Sequence, residues 1–506
     1  MRAGSVETPC QPAAGKWILV ATILASSMAF IDSTVVNVAL PAIQASFQAT
    51  AVDLQWVVET YGVVLAALIL AGGSLGDKLG RRRIFLTGVA IFATASLACS
   101  LSSNIEQLLF ARSVQGLGAA LLVPGSLSII SAEFDDRSRG SAIGSWSGFT
   151  AITTAIGPVL GGWVVENASW RWAFFINLPL AMAVIIISLR WIPESRASAA
   201  GRIDWSGVLF VILGLAGLVT GFIESSSLGW THPLVFGSLI VGFASLIVFA
   251  VTEARVPSPI VPLSLFASAT FSGANLLTFL LYAAIGIFFF LFPLDLIQVQ
   301  GYSATRAGAA TLPLILLMFA LSRWSGGLVA RYGPRLPLIF GPLIAALGFL
   351  LFAVPSTGGS YWKAFFPAIV VLGFGMAVTV APLTTVVMNS AGQDRVGAAS
   401  GINNAVARVA GVLAIAILGS VMMNAFGKQL DQRVAKISLT PDVVHSIQAE
   451  RIKLAGLEVP ASLDANTRAV VLEAVRDAFV LGFRLVILIC AALAAAGAAI
   501  VCWSVN

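Results

Sequence analysis

Charge is what this sequence has least of: Asp, Glu, Lys and Arg make up 10% of its 506 residues, while hydrophobic residues make up 58%. A soluble domain carries about 25% charged residues, so a soluble fold is excluded for most of the chain. Histidine is scarcer still, with only His232 and His445. Both fall outside the long apolar runs, so neither can carry a proton through a membrane core. The cysteines, Cys10, Cys99, Cys490 and Cys502, stand apart without CxxC or metal-ligand spacing and imply neither a disulfide framework nor a metal site. A GxxxxGK[ST] phosphate loop, an HExxH pair and a GxSxG elbow are all missing. ATP hydrolysis and enzymatic chemistry have no residues to stand on, and no cofactor is expected.

What the chain does have is apolar length. About 20 apolar residues cross a hydrocarbon core roughly 30 Å thick. Such runs recur near Trp17, Leu54, Ile84, Leu108, Ser141, Trp172, Trp205, Pro233, Phe271, Ala307, Leu336, Phe365, Ala398 and Ala478. This predicts an all-α polytopic membrane protein of about 14 transmembrane helices, with the lipid bilayer as its first partner. The net charge of +6 does not point to nucleic acid, because the basic residues lie in short loops between runs. Residues 1–15 lack a signal-peptide cleavage pattern, so the first run is expected to be a retained helix.

Lys and Arg placement sets the orientation. Fifteen basic residues fall in one set of loops, including Arg2, Arg81, Arg82, Arg83, Arg139, Arg202, Arg331, Arg335 and Arg395. The opposite short loops hold three, Arg171, Arg306 and Lys363. Both termini are therefore predicted to be cytoplasmic, in a multi-pass protein of the cell (inner) membrane. The long mixed-charge stretch Gly427–Asp477 is predicted outside, as a surface cap with short amphipathic helices.

The few charges inside apolar runs are informative, since one at a helix centre costs at least about 2.5 to 3.5 kcal/mol. Asp32, Glu59 and Arg112 fall in the first, second and fourth runs at depths that suit a shared polar cluster. A carboxylate alternating between burial and contact with a cation can take up and release a proton. Asp32 and Glu59 are the candidates, with Arg112 as switching partner; a satisfied buried hydrogen-bond network is the plainer alternative. Arg408 lies within the thirteenth run with no identifiable partner and is a candidate substrate contact. Asp295 and Arg306 flank the outer end of the ninth run, where both are expected in water. Phe30, Trp56, Tyr61, Trp146 and Phe149 mark a region for an amphipathic pocket, although singly each would suit packing or an interfacial belt.

An internal repeat points to two halves: the ten residues from Gly73 to Arg82 align without gaps on Gly326 to Arg335. With its Gly, Asp, Gly and Arg pattern, the first copy resembles the cytoplasmic signature of the major facilitator superfamily between helices two and three. The resemblance implies that Gly73, Asp77, Gly80 and Arg81 form a gating latch. The second copy has Ala330 where the first has Asp77. Four further segments are similar to the fourteen-helix drug:proton antiporters of that superfamily: Ile31 to Pro41, Leu108 to Ala120, Gly157 to Gly162, and Trp170 to Pro179. Within the third, Gly157, Pro158, Gly161 and Gly162 match the antiporter motif, a hinge by this reading, with Thr153 where the fuller pattern has glycine.

The resemblance implies a major facilitator fold. Residues 1–16 form a tail, 17–195 one six-helix half, 204–252 two additional central helices, and 270–503 the other half with an external loop at 427–477. It implies a proton-coupled antiporter that exports small amphipathic drugs, dyes or natural products by alternating access, driven by the proton gradient. A lipid or metabolite flippase or facilitator of the same fold is the alternative. Substrate identity and a periplasmic adaptor are open at this point.

Overall fold

The computed structural model describes residues 12–196, 204–256, 259, 261–391, 395–437, 439–460 and 462–505. Arg2, Cys10, Arg202 and most of the N-terminal tail lie outside them. Among the described residues, fourteen helices are long and apolar enough to cross a membrane. They are α1 (Ala14–Phe47), α2 (Ala51–Leu79), α3 (Arg81–Leu101), α4 (Ile105–Glu133), α5 (Ser141–Asn167), α6 (Trp172–Trp191) and α7 (Trp205–Leu228). The others are α8 (Pro233–Glu253), α9 (Ala269–Val299), α10 (Ala304–Gly326), α11 (Arg335–Phe352), α12 (Phe366–Asn389), α13 (Ala398–Val434) and α14 (Ala465–Ser504). The described residues contain no strand, as expected where lipid leaves each span to satisfy its own backbone groups.

Local sequence sets the helix ends. Thr50 and Asp53 form a reciprocal capping box at the start of α2, which satisfies two otherwise orphaned donors. Asn104, Ser268, Ser303 and Asp464 cap α4, α9, α10 and α14 through their side chains. Between α2 and α3 the chain turns at Gly80 with φ +119°, a conformation that glycine adopts freely. The Glu194 carboxylate accepts from the backbone N–H groups of Arg82 and Arg83, capping α3 from the far end of the first half.

The two halves repeat one packing scheme. In the first, α1 packs on α5 and α6, α4 on α2 and α3, and α3 on α6. In the second, α9 packs on α13 and α14, α12 on α10 and α11, and α11 on α14. The halves meet at two seams, α5 against α10 and α2 against α13, which exchange under the same correspondence. The pair α7 and α8 packs through α7 onto α2 and α13, covering that seam. It is held by glycines: a Cβ at Gly217 would lie 2.7 Å from the Ser238 carbonyl oxygen, the close small-residue approach of membrane helix pairs.

The loop expected over 427–477 is shorter than its sequence suggested, because α13 continues to Val434 and α14 starts at Ala465. The intervening chain forms a helix at Pro441–Glu450 and a 3-10 turn at Arg451–Gly456. It is more than a surface cap, since Ile447, Leu454, Leu457 and Val459 are buried in the main core. It also bridges the halves: Gln44 of α1 donates to the Lys453 carbonyl at 3.0 Å, and Gln298 of α9 donates to Gln44 at 2.7 Å.

Candidate functional site

Helix α1 carries two different faces past each other. Phe30, Thr34 and Asn37 recur at helical spacing and line a cavity of about 770 Å³ between the halves. Asp32 is fully buried, because two residues beyond Phe30 it points about 200° round the helix, into the first half.

Around Asp32 the first half assembles a closed polar network. Arg112 Nη1 lies 2.5 Å from Asp32 Oδ2, with both side chains at most 1% exposed. The same nitrogen donates to Gln115 Oε1 at 2.7 Å, and Arg112 Nε to the Val57 carbonyl at 3.0 Å. Gln115 in turn donates to Asp32 Oδ1 at 2.8 Å and to Ser96 Oγ at 2.7 Å. Asn177 completes the set, donating to Ser96 at 3.1 Å and to Asp32 at 3.4 Å. The guanidinium also stacks 4.3 Å from the Tyr61 ring centroid. Taking two charges out of water is tolerable only with such geometry and satisfied lone pairs. Ser96 and Asn177 escaped sequence analysis, since a neutral polar residue in an apolar run is unremarkable.

Glu59 does not join this cluster. It is completely buried on α2, and neither carboxyl oxygen has a hydrogen-bond partner among the described residues. Similar depth did not make it a neighbour: α2 presents the Val57 carbonyl to Arg112, and two residues further the helix has turned away. Asp295, expected in water, is 2% exposed and sits beside Gln300. The turn that holds it packs on α14 and on the segment at Arg451–Gly456, whereas Arg306 is exposed.

The cavity is walled by α1, α5, α9, α10, α12 and α13, and among the described residues no Asp, Glu, Lys, Arg or His lines it. Trp146, Tyr282, Phe289 and Met376 supply apolar surface; Thr34, Asn37, Thr311, Ser322 and Asn404 supply hydrogen-bonding groups. Of the aromatics expected there, Phe30 and Trp146 line it. Phe149 does not, being 55% exposed on another face of α5. Tyr61 is buried against Arg112, and Trp56 donates its indole N–H to Glu224 of α7 at 2.8 Å. Arg408 places its guanidinium 5.9 Å from the ring of Phe30.

One end of the cavity is shut by glycine packing. A Cβ at Gly162 would collide with the Ala304 carbonyl of α10, and one at Gly308 with the Pro158 carbonyl of α5. Gly157 and Gly161 give α1 the same close access, at Thr34 and Val35. Helix α5 runs unbroken through Pro158. Thr305 adds hydrogen bonds from its hydroxyl and backbone N–H to Glu166, again across the seam. At the opposite, arginine-rich end, Asp77 pairs with Arg81 at 2.8 Å one turn on, both partly exposed, just after Gly73 and before Gly80.

Two bundles with matched packing around a central cavity are a transporter architecture, and the family profile of the Major Facilitator Superfamily matches residues 22–415. The chain belongs to the major facilitator superfamily. It is 35% identical over 410 residues to "Multidrug resistance protein Stp" of Mycobacterium tuberculosis, covering 80% of this chain and 75% of that protein. It is 31% identical to the "Tetracenomycin C resistance and export protein" of Streptomyces glaucescens, covering 98% of this chain and 93% of that one. Among solved structures, a bacterial homologue of the human lysosomal transporter Spinster, inward-facing and unoccupied, superposes with a TM-score of 0.66. That match has 16% identity over 98% of this chain and 100% of that one, and shows a shared fold.

Proposed function

We propose that this superfamily member is a proton-driven exporter of small amphipathic compounds, drugs or natural products, working by alternating access. The carrying observation is the buried Asp32–Arg112 pair on the far side of the helix whose other face lines the cavity. A proton arriving at Asp32 would cancel one charge of the pair and loosen Arg112 from α1, changing how α1 sits against α4 and hence the cavity wall. On this reading, an intact pair with the cavity closed at the glycine-packed end stands for the proton-free state, open toward the cytoplasm. The names of the resistance and export proteins that it resembles support the export direction. The moving bodies in this reading are residues 17–195 and 270–503, with 204–252 riding on one seam.

The test is efflux of a panel of amphipathic dyes and antibiotics into inside-out vesicles. Accumulation should need the proton gradient and collapse with a protonophore. Flux indifferent to the gradient would replace export by facilitation, and flux of lipids alone by a flippase. We further propose that both termini are cytoplasmic. A thiol introduced by Glu458→Cys, an exposed position of the external segment, should react with an impermeant maleimide on intact cells. Reaction only after permeabilisation would invert the topology.

A further inference from the structure

Arg408 enters α13 ten residues, about 15 Å, from its arginine-rich end. A guanidinium keeps its charge in a protein, and in a membrane interior such a charge needs an anion or water. Arg112, fully buried on α4, has its anion, Asp32. Arg408 forms no ion pair or hydrogen bond with any described residue. It is half-buried, near Tyr61 and beside the ring of Phe30, a cavity wall. Asn404, one turn earlier on α13, also lines the cavity. Among the described residues no acid lines the cavity, and the unpaired charge beside it is the positive one of Arg408.

We propose that Arg408 selects the charge of the substrate, and that the cavity takes amphipathic aromatic anions, carrying a carboxylate, sulfonate or phenolate, in preference to cations. This deepens the export reading by naming the substrate class of its cavity. Planar anions suit a guanidinium fork beside an aromatic face. The hydroxyl and amide groups of Thr34, Asn37 and Thr311 can bond a polar rim without charge, and the membrane potential, negative inside, favours the exit of an anion.

Fluorescein and rhodamine 123 share a tricyclic frame and carry opposite charge, so they isolate this effect. Their binding to the full chain in nanodiscs of zwitterionic lipid is read by fluorescence anisotropy. The parent should bind fluorescein about tenfold more tightly than rhodamine 123. Arg408→Gln should weaken fluorescein binding about tenfold and leave rhodamine 123 within about twofold. Asn404→Asp, which sets a carboxylate one turn from Arg408, should shift preference the same way while keeping the guanidinium, so a poorly folding Arg408→Gln does not remove the test. Equal affinity of the parent for both dyes, or fluorescein binding unmoved by Asn404→Asp, overturns the proposal. Loss of gradient dependence with Arg408-dependent fluorescein binding intact would sink the export reading alone. Gradient-driven efflux of other compounds with charge-blind binding would sink this inference alone.

Discussion

The two halves share a packing scheme but fill equivalent places with opposite chemistry. Between α1, α3, α4 and α6 the first half buries an ion pair, two amides and a serine in one closed network. Between α9 and α11 the second half buries phenyl rings. Phe288 stacks on Phe292 with centroids 4.9 Å apart and meets Phe352 at 4.8 Å and Phe349 at 6.0 Å, while Phe292 meets Phe365 at 5.7 Å. A charge pair can be switched by a single proton, whereas packed rings offer nothing to titrate. At this pair of equivalent places the scaffold thus sets a network that a proton can switch against a ring cluster that it cannot.

The sharpest way to break this division is Asp32→Asn. The amide keeps the shape and can still hydrogen-bond, but cannot cycle a proton. Gradient-driven efflux should fall to background while probe binding survives, and probe addition to the purified variant should release no protons. Proton release at the parent level, with uphill export, would remove Asp32 from the coupling.

Phe288→Ala tests the other half. Removing a fully buried ring that touches four others should cost about 3 to 5 kcal/mol of stability, seen as a lower Tm in detergent. The surviving fraction should retain the parent ratio of gradient-driven to passive flux. A stable variant that leaks would mean that the aromatic half takes part in coupling.

A smaller effect is expected where the repeat is unequal, at Asp77 in the first copy and Ala330 in the second. The Asp77–Arg81 pair is partly exposed, so it contributes only about 0.2 to 1 kcal/mol to stability. Asp77→Asn should leave expression nearly intact, reduce transport severalfold and raise cysteine accessibility at the arginine-rich end of the cavity. Transport at the parent rate would remove the latch.

The sequence made some of this legible and left some hidden for definite reasons. Fourteen spans could be read because crossing lipid demands long apolar runs, and each predicted run has its helix. Asp32 and Arg112 stood out because buried charge is costly enough to be rare. Ser96 and Asn177, which complete their network, carry no such cost. Phe149 and Glu59 were misjudged for one reason, that a residue's depth along a helix says nothing of its azimuth. Asp295 was misjudged for another: its burial comes from tertiary packing against elements distant in the chain, which no local pattern announces.

Glu59 is the finest probe of the comparison, because it is a carboxyl in the responsive half that stands outside the network. Glutamine preserves its volume, and the side chain has no hydrogen bond to lose among the described residues. The Arg112 contacts to Asp32, Gln115 and the Val57 carbonyl do not involve it. Glu59→Gln should therefore lower gradient-driven efflux by less than about threefold, a change of well under 1 kcal/mol in the barrier. Protons released per probe bound should stay at the parent value, and that ratio is the deciding measurement, since a loosened fold would reduce flux without changing it. If the ratio falls as it does for Asp32→Asn, proton movement passes through α2 as well as α1. The contrast between the halves would then rest on two carboxyls acting in sequence rather than on one ion pair.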